Sequence, residues 1–211
     1  MLLGARQFFT TKSGNAEEAM YKELYKALVS RTLDDAIGPD VTAIGAYAFY
    51  GNTGPVTAVF PNVVTIGQSA FQNDTRLIEA NFQNATSISL GSFQACSALE
   101  TALLPKVTNW SGYMFYGCTS LELCDLSSAF ATSVATNMNN GNFTNVGNDA
   151  PTKTDSAGNE YKCLIKIGRP ASQLVSVFNF PSGAPTTTKF ECPDGYVIYD
   201  SATSSWKAVT T

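Results

Sequence analysis

Apolar residues return along this chain at a fixed distance of 22. Rows 41–62, 63–84, 85–106 and 107–128 align without a gap, and five columns are apolar in register. One column holds Ile44, Ile66, Ile88 and Trp110; a second holds Phe49, Phe71, Phe93 and Phe115; a third holds Leu77, Leu99 and Leu121, with Pro55 as the odd member. Ala58, Ala80, Ala102 and Cys124 follow, then Phe60, Phe82, Leu104 and Leu126. A recurrence of this length marks a solenoid, in which each row is one coil, no coil buries its apolar face alone, and stacking makes the core. Around Leu99–Leu104 and Leu121–Leu126 the pattern alternates every second residue, which predicts short strands side by side in a parallel sheet, with the phenylalanines on the opposite wall.

Half a row precedes these four, since Leu33, Ala36 and Pro39 fall in repeat columns. Before it, 15–32 reads as a helix: Asn15 is placed to cap it with Glu18 three residues on, and Met20, Leu24 and Leu28 form a helical stripe. A terminal coil with a bare apolar end invites aggregation, so this helix is assigned as the N-terminal cap. Residues 1–14 form an apolar arm ahead of it. After Ser128 the columns fail, since the next phenylalanine position is Asn137. The run 129–160 is rich in Ser, Thr, Asn and Gly and reads as a linker. From 161 to 211, "YKCLIKIG", "LVSVFNF", "GYVIYD" and "SSWKAV" read as strands, the last pair a hairpin. They form a C-terminal cap or a small separate domain. The expected fold is therefore an α/β solenoid: helical cap at 15–32, repeats at 33–128, β-rich tail.

The rows "LETALLPKVTNWSGYMFYGCTS" and "AVFPNVVTIGQSAFQNDTRL" resemble the BspA-type leucine-rich repeat, with Pro61, Pro105, Ile44-Gly45, Ile66-Gly67, Cys96 and Cys118 in its pattern. Trp110 for isoleucine, Met114 for alanine, and Asn52 and Asp74 for cysteine depart from it. The resemblance covers roughly 33–128. It implies a leucine-rich-repeat fold and a non-enzymatic adhesion or recognition role, since the family occurs in bacterial surface adhesins, protist surface proteins and short phage-encoded proteins. The layout of arm, helix, few coils and β-rich tail looks like the short phage members, which implies a virion or tail-associated protein. A bacterial surface or secreted adhesin is the alternative.

Charge narrows the partners. The net charge is −4, and the 13 basic residues are scattered, with no stripe to neutralise phosphates or anionic lipid. Neither nucleic acid nor a membrane is an expected partner. No apolar run approaches the length of a membrane helix, and no export signal is expected at the start. The absence of histidine removes the commonest general base and metal ligand, so neither an enzyme nor a cofactor or metal site is expected. Five cysteines (96, 118, 124, 163 and 192) lack zinc-site pairing and are taken as buried thiols. Glu100 and Glu122 stack in one column, but two acids on a regular surface without a pocket make poor glycosidase candidates.

Two surfaces are candidate binding sites. By alternation, Thr57, Val59, Glu79, Asn81, Thr101, Leu103, Leu123 and Asp125 point outward from the strands. Four strands spaced about 4.8 Å apart offer a face roughly 15 Å across, suited to a small epitope or a glycan. Tyr47, Tyr50, Tyr113 and Tyr116 flank the phenylalanine column with Gln72 and Gln94 between, and rings beside amides suit sugars. Plain solvation of the strands and packing of the tyrosines on the coil wall are the competing readings. The expected partner is a protein or glycan on a cell surface, or neighbouring virion subunits through residues 1–14, with homo-oligomerisation left open. The arm's competing partner is the chain's own solenoid.

Overall fold

The structure is a computed structural model that describes residues 9–11, 41–54, 57–128, 141–175 and 184–210. The helix read at 15–32 and the half coil at 33–40 lie outside the described residues, as does Asn137. From Val41 onward each row of the sequence is one coil of a solenoid. The larger sheet runs through β3 (Thr57–Val59), β5 (Glu79–Asn81), β7 (Thr101–Leu103) and β9 (Leu123–Leu126), all parallel. Ala58, Ala80, Ala102 and Cys124 are successive partners, so the register advances one row per strand.

A second parallel sheet was not expected from the sequence. It joins β2 (Val41–Ile44), β4 (Thr65–Ile66), β6 (Ser87–Ile88) and β8 (Asn109–Trp110), each contributing the column of Ile44, Ile66, Ile88 and Trp110 to the interior. Between the two sheets each coil turns through the I-G-x-x-A-F segment. The core-column residues Ile44, Phe49, Ile66, Phe71, Leu77, Ile88, Phe93, Leu99, Trp110, Phe115 and Leu121 are all buried. The phenylalanine rings form a ladder, stacked 4.9 Å (Phe49–Phe71), 5.2 Å (Phe71–Phe93) and 5.5 Å (Phe93–Phe115) apart. A second ladder, Phe60 on Phe82 at 5.4 Å, meets the first at an angle. The alanine at the centre of β3, β5 and β7 is small beside these rings, and each buried phenylalanine contributes about 1.5–3 kcal/mol.

The ladder does not stop at Ser128. Phe143 stacks on Phe115 at 6.4 Å, 28 residues on instead of 22. An insertion of six residues displaces the column, so the reading of 129–160 as a linker is corrected over its described part. There 141–150 builds a further turn of the solenoid, and β10 (Lys153–Thr154) with β11 (Glu160–Tyr161) makes a small antiparallel ribbon. The larger sheet then continues through β12 (Cys163–Ile167), parallel to β9, and β13 (Thr188–Cys192), parallel to β12. It ends in the antiparallel hairpin of β14 (Gly195–Asp200) and β15 (Ser205–Thr210). The C-terminal region is thus continuous with the repeat sheet, and Phe190 meets Phe143 at 5.8 Å and Trp206 at 5.6 Å, both edge-on.

One local expectation changes. Leu174, read as the start of a strand, closes a four-residue helix, α1 (Ala171–Leu174). Pro170 precedes it, and Asp194 Oδ1 accepts the Ala171 N–H at 2.6 Å, supplying the acceptor a helix start needs. Of residues 1–14, the described part, β1 (Phe9–Thr11), pairs with the chain's own first coil, antiparallel to β2. An edge strand such as β2 offers unpaired backbone groups, and a segment of the same chain reaches them at higher effective concentration than a second molecule does.

Candidate binding surface

The turn wall of the solenoid is fixed by the backbone. In each coil the chain passes twice through the left-handed region: at Tyr47, Ser69, Gly91, Tyr113 and Gly141 (φ 59°, 53°, 62°, 56° and 66°), and again at Gly51, Asn73, Ala95, Gly117 and Asn145 (φ 60°, 61°, 59°, 74° and 60°). These turns stack through repeated backbone bonds. Tyr47 N donates to Gln68 O (2.9 Å), Ser69 N to Leu90 O (2.9 Å) and Gly91 N to Gly112 O (3.0 Å). The wall is therefore as regular as the sheets it joins.

On this wall the structure brings together the four tyrosines singled out in the sequence. Tyr47 and Tyr50 lie 5.9 Å apart, as do Tyr113 and Tyr116, and the four rings are 36–50% exposed. Gln68 Nε2 donates to Tyr47 Oη at 3.0 Å and Asn73 Nδ2 to Tyr50 Oη at 3.1 Å, so each ring of the first pair is held by the next coil. Three coil steps, about 14 Å, separate the two pairs. Between them the wall drops to Ser69 and Gly91, and the Gln94 amide lies across Gly91, its Oε1 3.0 Å from where a Cβ would stand.

Leu90 is 44% exposed on the same wall, so five of the seven large apolar side chains exposed among the described residues lie here. Sequence reasoning missed Gln68, Asn73 and Leu90; their columns are visible in the rows, but only exposure distinguishes them. Tyr47 and Tyr113 also hold a left-handed backbone that disfavours a side chain by about 1–2 kcal/mol, where Gly91 and Gly141 do so freely.

The outward strand positions lie on a different wall. Thr57, Glu79, Thr101 and Leu123 line up across the sheet, as do Val59, Asn81, Leu103 and Asp125, all half-buried. Gln83 Nε2 donates to Asn81 Oδ1 at 2.9 Å. Further along, the β10–β11 ribbon crosses this face. Lys153 pairs with Glu122 at 2.8 Å, and Lys189 is bonded to Asp155 at 2.5 Å, with its Nζ 4.3 Å from the Tyr196 ring centre and 5.4 Å from that of Tyr161. Asn159 Nδ2 donates to both Asp155 oxygens and to Tyr196 Oη (3.1 Å). The bonds from Lys189 and Asn159 hold the Asp155 carboxyl well below the usual range. This cluster pins the ribbon to the sheet, while Lys166 on β12 and Glu191 on β13 keep partly exposed side chains. Glu122, one of the two stacked acids, is engaged by Lys153, whereas Glu100 is exposed.

The cysteine column is structural. All five thiols are free and buried; Cys96 Sγ donates to Phe71 O at 2.9 Å and Cys118 Sγ to Phe93 O at 3.1 Å, tying each coil to its predecessor. Burial pushes the Cys163 and Cys192 thiols up to about 12, which keeps them protonated and unreactive.

Asp74 stands in the same column as Cys96. Its Oδ1 accepts from Arg76 N (3.2 Å) and Leu77 N (3.1 Å), its Oδ2 from Asn52 Nδ2 (3.3 Å). Burial nevertheless pushes its pKa from 3.8 up to about 6. Well below pH 3.8 the group is neutral in both folded and unfolded chains. As pH rises from 4 to 6 the unfolded chain ionises first, so this group's drag on stability accumulates there and is constant above, at about 3 kcal/mol. Asp74→Asn keeps the Oδ1 acceptor but weakens the Asn52 bond by about 1 kcal/mol. The expected result is a gain of about 2 kcal/mol at pH 7 and a loss of about 1 kcal/mol at about pH 2.5, read by urea unfolding across that range. Asp155, whose pKa is lowered, contributes stability that is lost only as pH falls below 4, outside this window.

Comparison with known proteins returns one family and one solved structure worth stating. The family described as "BspA type Leucine rich repeat region (6 copies)" matches residues 31–148. Among solved structures, the crystal structure of a T. pallidum leucine-rich-repeat protein (TpLRR) is similar at 25% identity and a TM-score of 0.38, over 44% of this chain and 44% of that one. The match thus spans under half of that relative. No curated protein matches the sequence.

Proposed function

The chain belongs to the BspA-type leucine-rich-repeat family, and on that premise we propose that it is a non-enzymatic recognition protein, a phage virion or tail-associated component that binds a host-surface partner through its repeats. The observation that carries the binding role is the turn wall. Exposed large apolar groups are scattered singly on ordinary surfaces, yet here five of the seven among the described residues gather on one wall with no Asp, Glu, Lys or Arg in 46–51, 68–73, 90–95 or 112–117. The phage assignment draws its support from the layout: a short arm, a few coils and a β-rich tail.

A bacterial surface adhesin is the second reading, favoured by the same family membership. The two readings differ in where the protein is found. Mass spectrometry of density-purified phage particles from the source bacterium is expected to recover peptides of this chain at stoichiometric abundance. Recovery from washed cells and not from particles would instead establish the adhesin.

A further inference from the structure

We propose that the trough between the Tyr47/Tyr50 and Tyr113/Tyr116 pairs is a binding site for a neutral, linear oligosaccharide. The inference rests on the reading of the turn wall as the binding surface and names the ligand class it takes. Each end of the trough offers a pair of inclined aromatic faces, half-exposed, against which the C–H face of a sugar ring stacks. Between them Ser69 and Gly91 are buried, so a chain lying along the stack would rest on the Gln94 amide that crosses Gly91, with Leu90 exposed beside it. Amides pair with vicinal hydroxyls as donor and acceptor at once.

The rings of the first pair are already held. Tyr47 Oη accepts from Gln68 and Tyr50 Oη from Asn73, so ordering them adds little cost on binding. The trough holds no charged residue, so it has nothing to neutralise a uronate or sialate. Protein hot spots cluster at the centre of an interface inside a rim, whereas here the aromatics stand at the two ends and Leu90 is the large apolar side chain exposed between them.

The test titrates the full chain with neutral linear hexasaccharides of the glucan, mannan and chitin types, and with oligogalacturonate as the anionic counterpart, by isothermal calorimetry and NMR. Saturable binding to at least one neutral chain is expected. It should weaken tenfold or more in Tyr47→Gly and in Tyr113→Gly, which relax the backbone and so keep the fold, and stay unchanged in Thr57→Ala/Thr101→Ala on the sheet wall. No binding to any neutral chain, preference for the anionic one, or tyrosine variants that bind like the parent would each overturn the proposal.

Adsorption to host cells separates this inference from the reading beneath it. Adsorption lost in the tyrosine variants while no oligosaccharide binds would make the occupant a protein, overturning the inference alone. Adsorption indifferent to the tyrosines would remove the turn wall as the binding surface altogether.

Discussion

Phe71→Ala is expected to lower the free energy of unfolding by about 3–5 kcal/mol, enough to unfold a chain of ordinary stability at room temperature. The ring has no exposure and touches aromatic neighbours on three sides: Phe49 at 4.9 Å, Phe93 at 5.2 Å and Phe82 at 5.8 Å. In a globular core, neighbours from several elements relax toward a cavity. Here the hydrogen-bond ladders on both sides, Phe49 N to Ala70 O and Phe71 N to Ser92 O, hold the coils at fixed spacing, so the gap stays open. In a solenoid, stability is a sum of nearest-neighbour interfaces, and a defect in the second coil divides the N-terminal coil from the rest. Urea unfolding of Phe71→Ala beside Tyr50→Ala checks this, because the exposed Tyr50 should shift the midpoint far less. Equal effects would mean that the two columns do not play the opposite roles described above.

That contrast also shows what the rows of 22 could and could not convey. Burial along a column is a periodic property, so Ile66, Phe71 and Leu77 were legible as interior and Thr57 or Glu79 as outward by alternation. The second sheet was not legible, because strands of two residues such as Thr65–Ile66 have no alternation to read. Phe143 was hidden by six inserted residues that break the period without breaking the stack. β13 carries its signal in Phe190 and Cys192 but follows a Pro- and Thr-rich run, which reads as loop.

The tyrosine columns were visible as columns, while their significance depends on exposure and on the sign of φ at Tyr47 and Tyr113, neither of which a residue name conveys. Asp74 appeared only as a departure from cysteine. Its raised pKa comes from being buried in a column built for a thiol.

Phe190→Ala is expected to cost about 3–5 kcal/mol as well, and to lower a single unfolding transition instead of splitting it in two. The reasoning turns on where this ring sits. Phe190 is fully buried in β13, edge-on to Phe143 on the repeat side and to Trp206 on the hairpin side, so it is shared by the last aromatic step of the solenoid and by the structure that ends it. β12 pairs with β9 through four residues, from Leu164 opposite Leu123 to Ile167 opposite Leu126, so no break in the sheet marks a boundary between repeats and tail. A solenoid end without a cap exposes apolar surface and strand edge together. The β14–β15 hairpin covers the aromatic step, reversing strand direction so that the parallel coil pattern cannot propagate. Removing the ring therefore loosens the hairpin and exposes Phe143, and the loss should travel into the coils. Thermal unfolding followed by tryptophan fluorescence and by far-ultraviolet circular dichroism makes the test, since Trp206 reports the hairpin and Trp110 the fourth coil. Coincident, lowered transitions are expected from both probes. A low-temperature fluorescence change with the dichroism transition unmoved would mean that the hairpin is an appendage, and that the repeats are closed by something other than Phe190 and Trp206.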